Sequence, residues 1–188
     1  MLILASASPR RRELTARLGL PYRVLVPDAD ETLSCPHTPE ETVRILSRRK
    51  AEAAAILCPD DIVLGSDTVV ALDGAILGKP KDEKDAARML SMLSGRTHEV
   101  FSGFTLIGNG KTYTGCSVTS VRFTTVDKEE IARYIATGEP MDKAGAYGIQ
   151  GRGGLFVDGI CGDYNTVVGL PLGEVYDVLK TVFEVEFT

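Results

Sequence analysis

Apolar and polar positions change period several times along the 188 residues, and each change marks an element. Ile3 to Ala5 is a short apolar run that predicts a buried strand. Ser8 followed by Pro9 then supplies an N-cap and a first-position proline for a helix to about Leu18. Tyr22 to Val26 predicts a second strand, and Thr38-Pro39-Glu40-Glu41 is a capping box opening a long helix to about Leu57. Ile62 to Leu72 predicts a third strand, which continues through the Asp73-Gly74 turn into a short hairpin. Asp82 caps a helix with Ala86, Met89, Leu90 and Leu93 at helical spacing, and Gly95 closes it. Phe101 to Ile107 and Ser117 to Phe123 read as paired strands around Asn109-Gly110. Asp127 opens the next helix and Gly138 ends it. A glycine-rich segment, two short strands and an amphipathic helix from Gly173 to Phe183 complete the chain. Helices interleaved with strands predict an α/β protein, and the hairpin signals make its sheet mixed. No repeat, low-complexity tract or linker interrupts a single expected domain over residues 1–188.

Composition narrows the chemistry. With 44% hydrophobic and 25% charged residues the chain can bury one sizeable core. A net charge of -5 argues against wrapping a nucleic-acid polymer, which needs clustered Lys and Arg, although a small anion can still bind locally. The only histidines, His37 and His98, make a multi-histidine metal site untenable, so an expected metal is a hard cation on oxygen ligands, magnesium or manganese. Cys35, Cys58, Cys116 and Cys161 form no CxxC pair, and scattered thiols suit a reducing cytoplasm. Met1-Leu2-Ile3-Leu4-Ala5-Ser6 lacks the basic flank of a signal peptide, and no apolar run approaches membrane-spanning length, so no membrane association is expected.

Several polar residues stand where packing alone does not call for them. In Ser6-Ala7-Ser8-Pro9-Arg10-Arg11-Arg12, a strand ends where a helix begins, so free backbone N–H groups and guanidinium forks face one space that suits phosphate. The competing reading is a capped helix with a solvated basic turn. Three arginines there oppose the helix macrodipole, and a bound anion would compensate them. Lys50 shares a face with Val43, Leu46, Ala53, Ala54 and Leu57, so its ammonium either snorkels to water or meets a negative partner. Asp67, amid the apolar strand Ile62 to Leu72, is expensive to bury unpaired; its bland reading is an acceptor of backbone hydrogen bonds at a strand end. Glu31 lies in the acidic loop Asp28-Ala29-Asp30-Glu31, by itself ordinary solvated surface. Lys79 sits in the turn Leu77-Gly78-Lys79-Pro80, by itself an ordinary turn lysine. Ala144 to Gly154 is rich in glycine yet matches neither GxGxxG nor a Walker loop. Its Tyr147, Ile149, Leu155 and Phe156 argue for packing instead of slack, and one amide in a packed glycine loop, Gln150, suggests base recognition.

ASASPRRREL near the start, GSDTVV and LGKP in the middle and EPMDKAGAYGIQGRGGLFV later together resemble the Maf family of nucleotide pyrophosphatases, in order and nearly chain-long. The resemblance implies an α/β fold similar to that of inosine triphosphate pyrophosphatases, a mixed twisted sheet with flanking helices and two lobes around a central cleft. It also implies a divalent cation and a homodimer. By position, Asp67 corresponds to the catalytic base, and Ser6, Arg11, Glu31, Lys50 and Lys79 match polar residues of the phosphate and metal site, with Glu31 and Asp67 on the metal. Arg10, Thr68 and Gln150 match the branch acting on dTTP and UTP, and Lys143 of Asp142-Lys143 is also kept. The implied reaction is attack of water on the α-phosphorus, giving the nucleoside monophosphate and pyrophosphate. Two other readings are a nucleotide-binding regulator of cell division acting through partner proteins, since the family also carries a septum-formation label, and a cleaner of inosine or xanthosine triphosphate. Asp67 and Glu31 beside the cations favour catalysis over pure binding, and the Gln150 loop counts against the purine reading.

Overall fold

The computed structural model describes residues 1–187; Thr188, the last residue of the expected domain, lies outside them. Strand β1 (Leu2–Ala5) is buried at every position and pairs in parallel with β2 (Tyr22–Val24) and with β3 (Ile62–Leu72). Parallel neighbours need crossovers, and α1 (Pro9–Ala16) and α2 (Pro39–Ala55) provide them. β4 (Ala75–Leu77) folds back antiparallel on β3 through Asp73-Gly74, both at positive φ. β5 (Thr97–Gly108) and β6 (Lys111–Phe123) flank Asn109-Gly110, again both at positive φ as a primed turn requires. β7 (Val157–Cys161) runs antiparallel to β6. The seven strands form one mixed sheet, ordered β2-β1-β3-β5-β6-β7 with β4 against β3, so the fold is the expected α/β class.

The described residues group into two compact units. The first holds Met1–Thr68, Ser102–Ser117 and the chain from Gly169, including α6 (Leu172–Thr181). Its small core joins Ile3, Ala5 and Val63 to Ala51, Ala54 and Cys58 at the end of α2. Contact there is unusually close. A Cβ on Gly65 would stand 2.7 Å from the Ala51 nitrogen and strike the Ser47 carbonyl, and one on Gly103 would strike the Val43 carbonyl. Glycine in the strands therefore lets the α2 backbone lie directly on β3 and β5.

The second unit holds Val69–Phe101 and Val118–Val168, with α3 (Glu83–Leu93), α4 (Lys128–Ile135) and α5 (Tyr164–Val168). Ala86, Met89, Leu90 and Leu93 of α3 pack with Ile131, Tyr134 and Ile135 of α4 and with Phe123, Tyr147 and Phe156. His98 is buried among these aromatic rings, edge-on to Phe123 and Tyr147, with Nε2 2.8 Å from Tyr147 Oη and Nδ1 without a hydrogen-bond partner among the described residues.

Several boundaries differ from the sequence expectations. β5 begins at Thr97 and β6 at Lys111, because apart from the turn the two strands run on along one hairpin. α2 stops at Ala55, which leaves Leu57 exposed and off the expected stripe. Where two short strands were expected after the glycines, only β7 forms. The stretch before β7 takes 3-10 turns at Glu139–Asp142, Ala144–Ala146 and Arg152–Phe156, and α5 follows β7. Asp163 explains that helix, because its carboxylate accepts the Asn165 and Thr166 amides as a cap. The four cysteines are free. Among the described residues no helix is long and apolar enough to cross a membrane.

Two outcomes follow for stability. Gly65→Ala is expected to cost about 1–3 kcal/mol through overpacking against α2, whereas Gly173→Ala, with nothing within 4 Å of the added carbon, should melt no lower than the parent. Equal melting temperatures for the two variants would refute the close approach. Burial pushes the His98 imidazole from 6.5 down to about 4, so the fold holds it neutral while the unfolded chain takes up a proton. Its contribution is fully present above pH 6.5 and is lost as pH falls toward about 4. His98→Gln should therefore flatten the fall of melting temperature across that window, measured by calorimetry.

Candidate active site

Asp67 sits inside β3, not at its end, and only 12% of its side chain is exposed. One oxygen, Oδ1, takes a hydrogen bond from Lys50 Nζ at 2.6 Å. No other described residue hydrogen-bonds to this carboxylate, so the bland reading of an acceptor for backbone amides does not hold, and Oδ2 remains open to a ligand. Lys50 reaches Asp67 because Gly65, two residues earlier on β3, admits α2 to backbone contact. The lysine is 14% exposed and also lies 3.3 Å from Glu31 Oε1. Of its two sequence readings, the structure selects the negative partner over snorkelling.

Arg11, like Lys50, is a cation turned inward in the first unit. Ser8 caps α1 by accepting the Arg11 amide, and the first turn of α1 contains no acid. The guanidinium folds inward: Nε donates to the Gly169 carbonyl at 2.9 Å, Nη1 to Ser6 Oγ at 3.4 Å and Nη2 to Thr68 Oγ1 at 3.0 Å. Burial pulls its pKa below the ordinary value, Asp67 opposes that shift and Arg10 reinforces it. Three of five guanidinium hydrogens are engaged by neutral acceptors, so one on each terminal nitrogen is left for an anion. Arg10 is half-buried and its side chain has no hydrogen-bond or ion-pair partner among the described residues, while Arg12 is exposed and fits the solvated reading.

Thr68 and Ser6 support Arg11. Thr68 Oγ1 also lies 2.8 Å from Ser102 Oγ and donates to the Gly169 carbonyl at 3.3 Å, and Ser66 Oγ reaches that same carbonyl at 3.2 Å. Gly169 adopts φ +132, a left-handed conformation that aims its carbonyl at these donors. Sequence reasoning passed over Ser102 and Gly169. A serine in an apolar strand is unremarkable, and Gly169 lies far along the chain from its partners.

Ser6, Arg10, Arg11, Glu31, Lys50, Asp67 and Thr68 all lie in the first unit, and Lys79 and Gln150 in the second. Lys79 is exposed, and its turn is held by the Gly145 amide, which donates to the Gly78 carbonyl at 3.0 Å. Gln150 is exposed at the tip of the glycine segment. Sequence reasoning also missed Glu139, around whose carboxylate that segment folds.

The match to the description "Maf-like protein" runs over residues 1–182. The chain belongs to the Maf family. Among Maf relatives, a dTTP/UTP pyrophosphatase of Thermococcus gammatolerans is 50% identical over 98% of this chain and 98% of its own length. A dTTP/UTP pyrophosphatase of Bacillus cereus is 46% identical over 100% of this chain and 97% of its own. A solved structure titled "The structure of the Staphylococcus aureus Ham1 protein" aligns with 65% of this chain and 71% of that one at 19% identity and TM-score 0.47.

The metal that Maf resemblance implies can be tested against the donors present. No group of three or more His, Cys, Asp or Glu able to hold a metal occurs among the described residues. Glu31 and Asp67 nevertheless converge on one cationic point, the Lys50 ammonium. Two carboxylates fit magnesium, which keeps several waters and takes substrate phosphate oxygens in place of a full protein cage.

Lys50→Met should expose the strength of this pairing. It leaves Asp67 without its counter-charge, at an expected cost of about 3 kcal/mol, and adding Asp67→Asn should recover most of the lost melting temperature. A Lys50→Met protein that melts at or above the parent temperature would make the lysine a dispensable core charge.

Proposed function

We propose that this Maf protein hydrolyses dTTP and UTP to the nucleoside monophosphate and pyrophosphate, with Asp67 as the catalytic base. The supporting observation is the state of Asp67: nearly buried, pinned through Oδ1 by Lys50, and with Oδ2 unengaged. A carboxylate so placed can accept a proton from water in a fixed direction. The water oxygen then bonds to the α-phosphorus, its proton passes to Asp67, and the bond from the α-phosphorus to the bridging oxygen breaks. Pyrophosphate leaves with that electron pair. Arg11, with one free hydrogen on each terminal nitrogen, and Lys50 supply positive charge for the phosphoryl oxygens, where charge collects as the bond breaks.

Glu31 and Asp67 would hold magnesium or manganese, and such an ion would supply further charge neutralisation on the phosphates. The pairing of both carboxylates with a single ammonium supports this choice of ligands. Ser6 and Thr68 orient Arg11. Arg10 and Lys79 are assigned to the triphosphate and Gln150 to the base from their match to the family pattern, with Gln150 accepting from the pyrimidine N3–H while donating to a ring carbonyl. One Maf-like domain over residues 1–188, a homodimer and a cytoplasmic setting complete the proposal; the family resemblance supports the first two and the free thiols the last.

Asp67→Asn is expected to lower turnover by about 10²- to 10⁴-fold while nucleotide binding survives. Phosphate release from UTP and dTTP, assayed with and without added inorganic pyrophosphatase, identifies the bond cleaved. Phosphate should appear only in the presence of the added enzyme, and only when a divalent cation is supplied. Near-parental turnover in Asp67→Asn would remove this residue from the mechanism.

A further inference from the structure

Glu139 lies in the 3-10 turn that follows α4, and its carboxylate gathers donors from the glycine-rich segment. Oε1 accepts from Tyr134 Oη at 2.8 Å and from the Gly153 amide at 3.2 Å, and Oε2 accepts from the Arg152 amide at 2.9 Å. Tyr134 Oη in turn accepts the Gly148 amide at 3.2 Å. Amides on both sides of Gln150 thus converge on one carboxylate and the phenol bound to it. Burial works against the ionised form, but these donors outweigh it and hold the Glu139 carboxyl below its ordinary value.

The glycines of this stretch serve the same contact. Gly148, Gly151 and Gly153 all lack positive φ, so turn geometry does not require them. Space does: a Cβ on Gly151 would strike the Glu139 carboxylate, one on Gly153 would come within 2.6 Å of Tyr134 Oη, and one on Gly148 within 2.7 Å of the Lys143 side chain. Lys143 ties off the same turn by donating to the Glu139 carbonyl at 2.7 Å. Gln150, by contrast, is exposed and makes no hydrogen bond to any other described residue. The segment is anchored at its flanks, and its one amide side chain is left free.

We infer that Glu139 is a positioning residue for nucleobase selection: it fixes the 148–153 backbone so that Gln150 meets the pyrimidine edge already ordered. The inference rests on the proposed role of Gln150 in reading the base. Without the carboxylate, the loop amides lose their acceptors and the loop must be ordered at the cost of binding energy. That loss falls on nucleotides Gln150 recognises and spares those it does not. A merely structural role would reduce the active fraction equally for every substrate.

The test compares kcat and KM for UTP, dTTP, CTP and GTP in the parent, Glu139→Ala, Glu139→Gln and Gln150→Glu, with hydrogen exchange read over residues 148–153. Glu139→Ala should raise KM for UTP and dTTP and shrink the UTP-to-GTP ratio of kcat/KM by roughly tenfold, with kcat changed less and loop amides exchanging faster. Glu139→Gln keeps one acceptor oxygen but turns an NH2 toward the Arg152 amide, so it should fall between. If Glu139→Ala does not fold, Glu139→Gln together with Gly151→Ala, which presses a methyl on the carboxylate, carries the same test. Parental selectivity in the Glu139 variants while Gln150→Glu loses it would overturn the inference and leave the base-reading role intact. Parental selectivity in Gln150→Glu as well would overturn both.

Discussion

The direct contact between the backbone of α2 and the strands beneath it is the constraint on which the candidate site depends. Gly65 and Gly103 have no side chain to hold the helix off, so its carbonyls and amides rest on β3 and β5. Any larger residue would lift α2 by about a methyl's width, and interiors at native packing density absorb such a change poorly. Lys50 rides on this helix and Asp67 on the strand below, two residues beyond Gly65. Their 2.6 Å hydrogen bond is therefore a product of helix–sheet packing as much as of charge. The same approach sets Ser47 Oγ 3.1 Å from Thr105 Oγ1 in the interior.

Lys50 and Arg11, the two inward-turned cations of the candidate site, are not neutralised to the same degree. Lys50 is shared between two carboxylates, one buried and one 61% exposed. Among the described residues Arg11 hydrogen-bonds only to neutral oxygens, from Ser6, Thr68 and Gly169, so no carboxylate is bonded to it directly. A guanidinium fixed before substrate arrives requires no reorganisation when charge develops on a phosphoryl group, the condition under which electrostatic stabilisation is most effective.

In the second unit the same economy of space shapes the glycine segment. Its conformation follows from a single carboxylate receiving the Arg152 and Gly153 amides and the Tyr134 hydroxyl. Tyr147 of that segment packs on His98 and Phe123, which joins the loop to the aromatic core. A loop rich in glycine is here a packed object, and glycine is what permits the packing.

The chain pattern alone determined the α/β class, the mixed sheet and most helix starts, because capping boxes, the Asn109-Gly110 turn and apolar periodicity are local interactions between residues close in sequence. It also singled out Lys50 and Asp67 as charges out of place in apolar surroundings. It did not determine that they satisfy each other, since 17 positions separate them and only the seating of α2 brings them together. The course of the chain after Gly138 is set by long-range contacts in the same way. Its backbone is held in a 3-10 turn by hydrogen bonds to Glu139, and after β7 the Asp163 carboxylate caps α5, so only one of the two expected strands forms. Gly169 and Ser102 gave no local sign, because partners such as Arg11, Ser66 and Thr68 are brought to them from distant stretches of chain. Residues whose partners lie within a turn or two are written in the sequence; those whose partners arrive from another element acquire their role only when the elements pack.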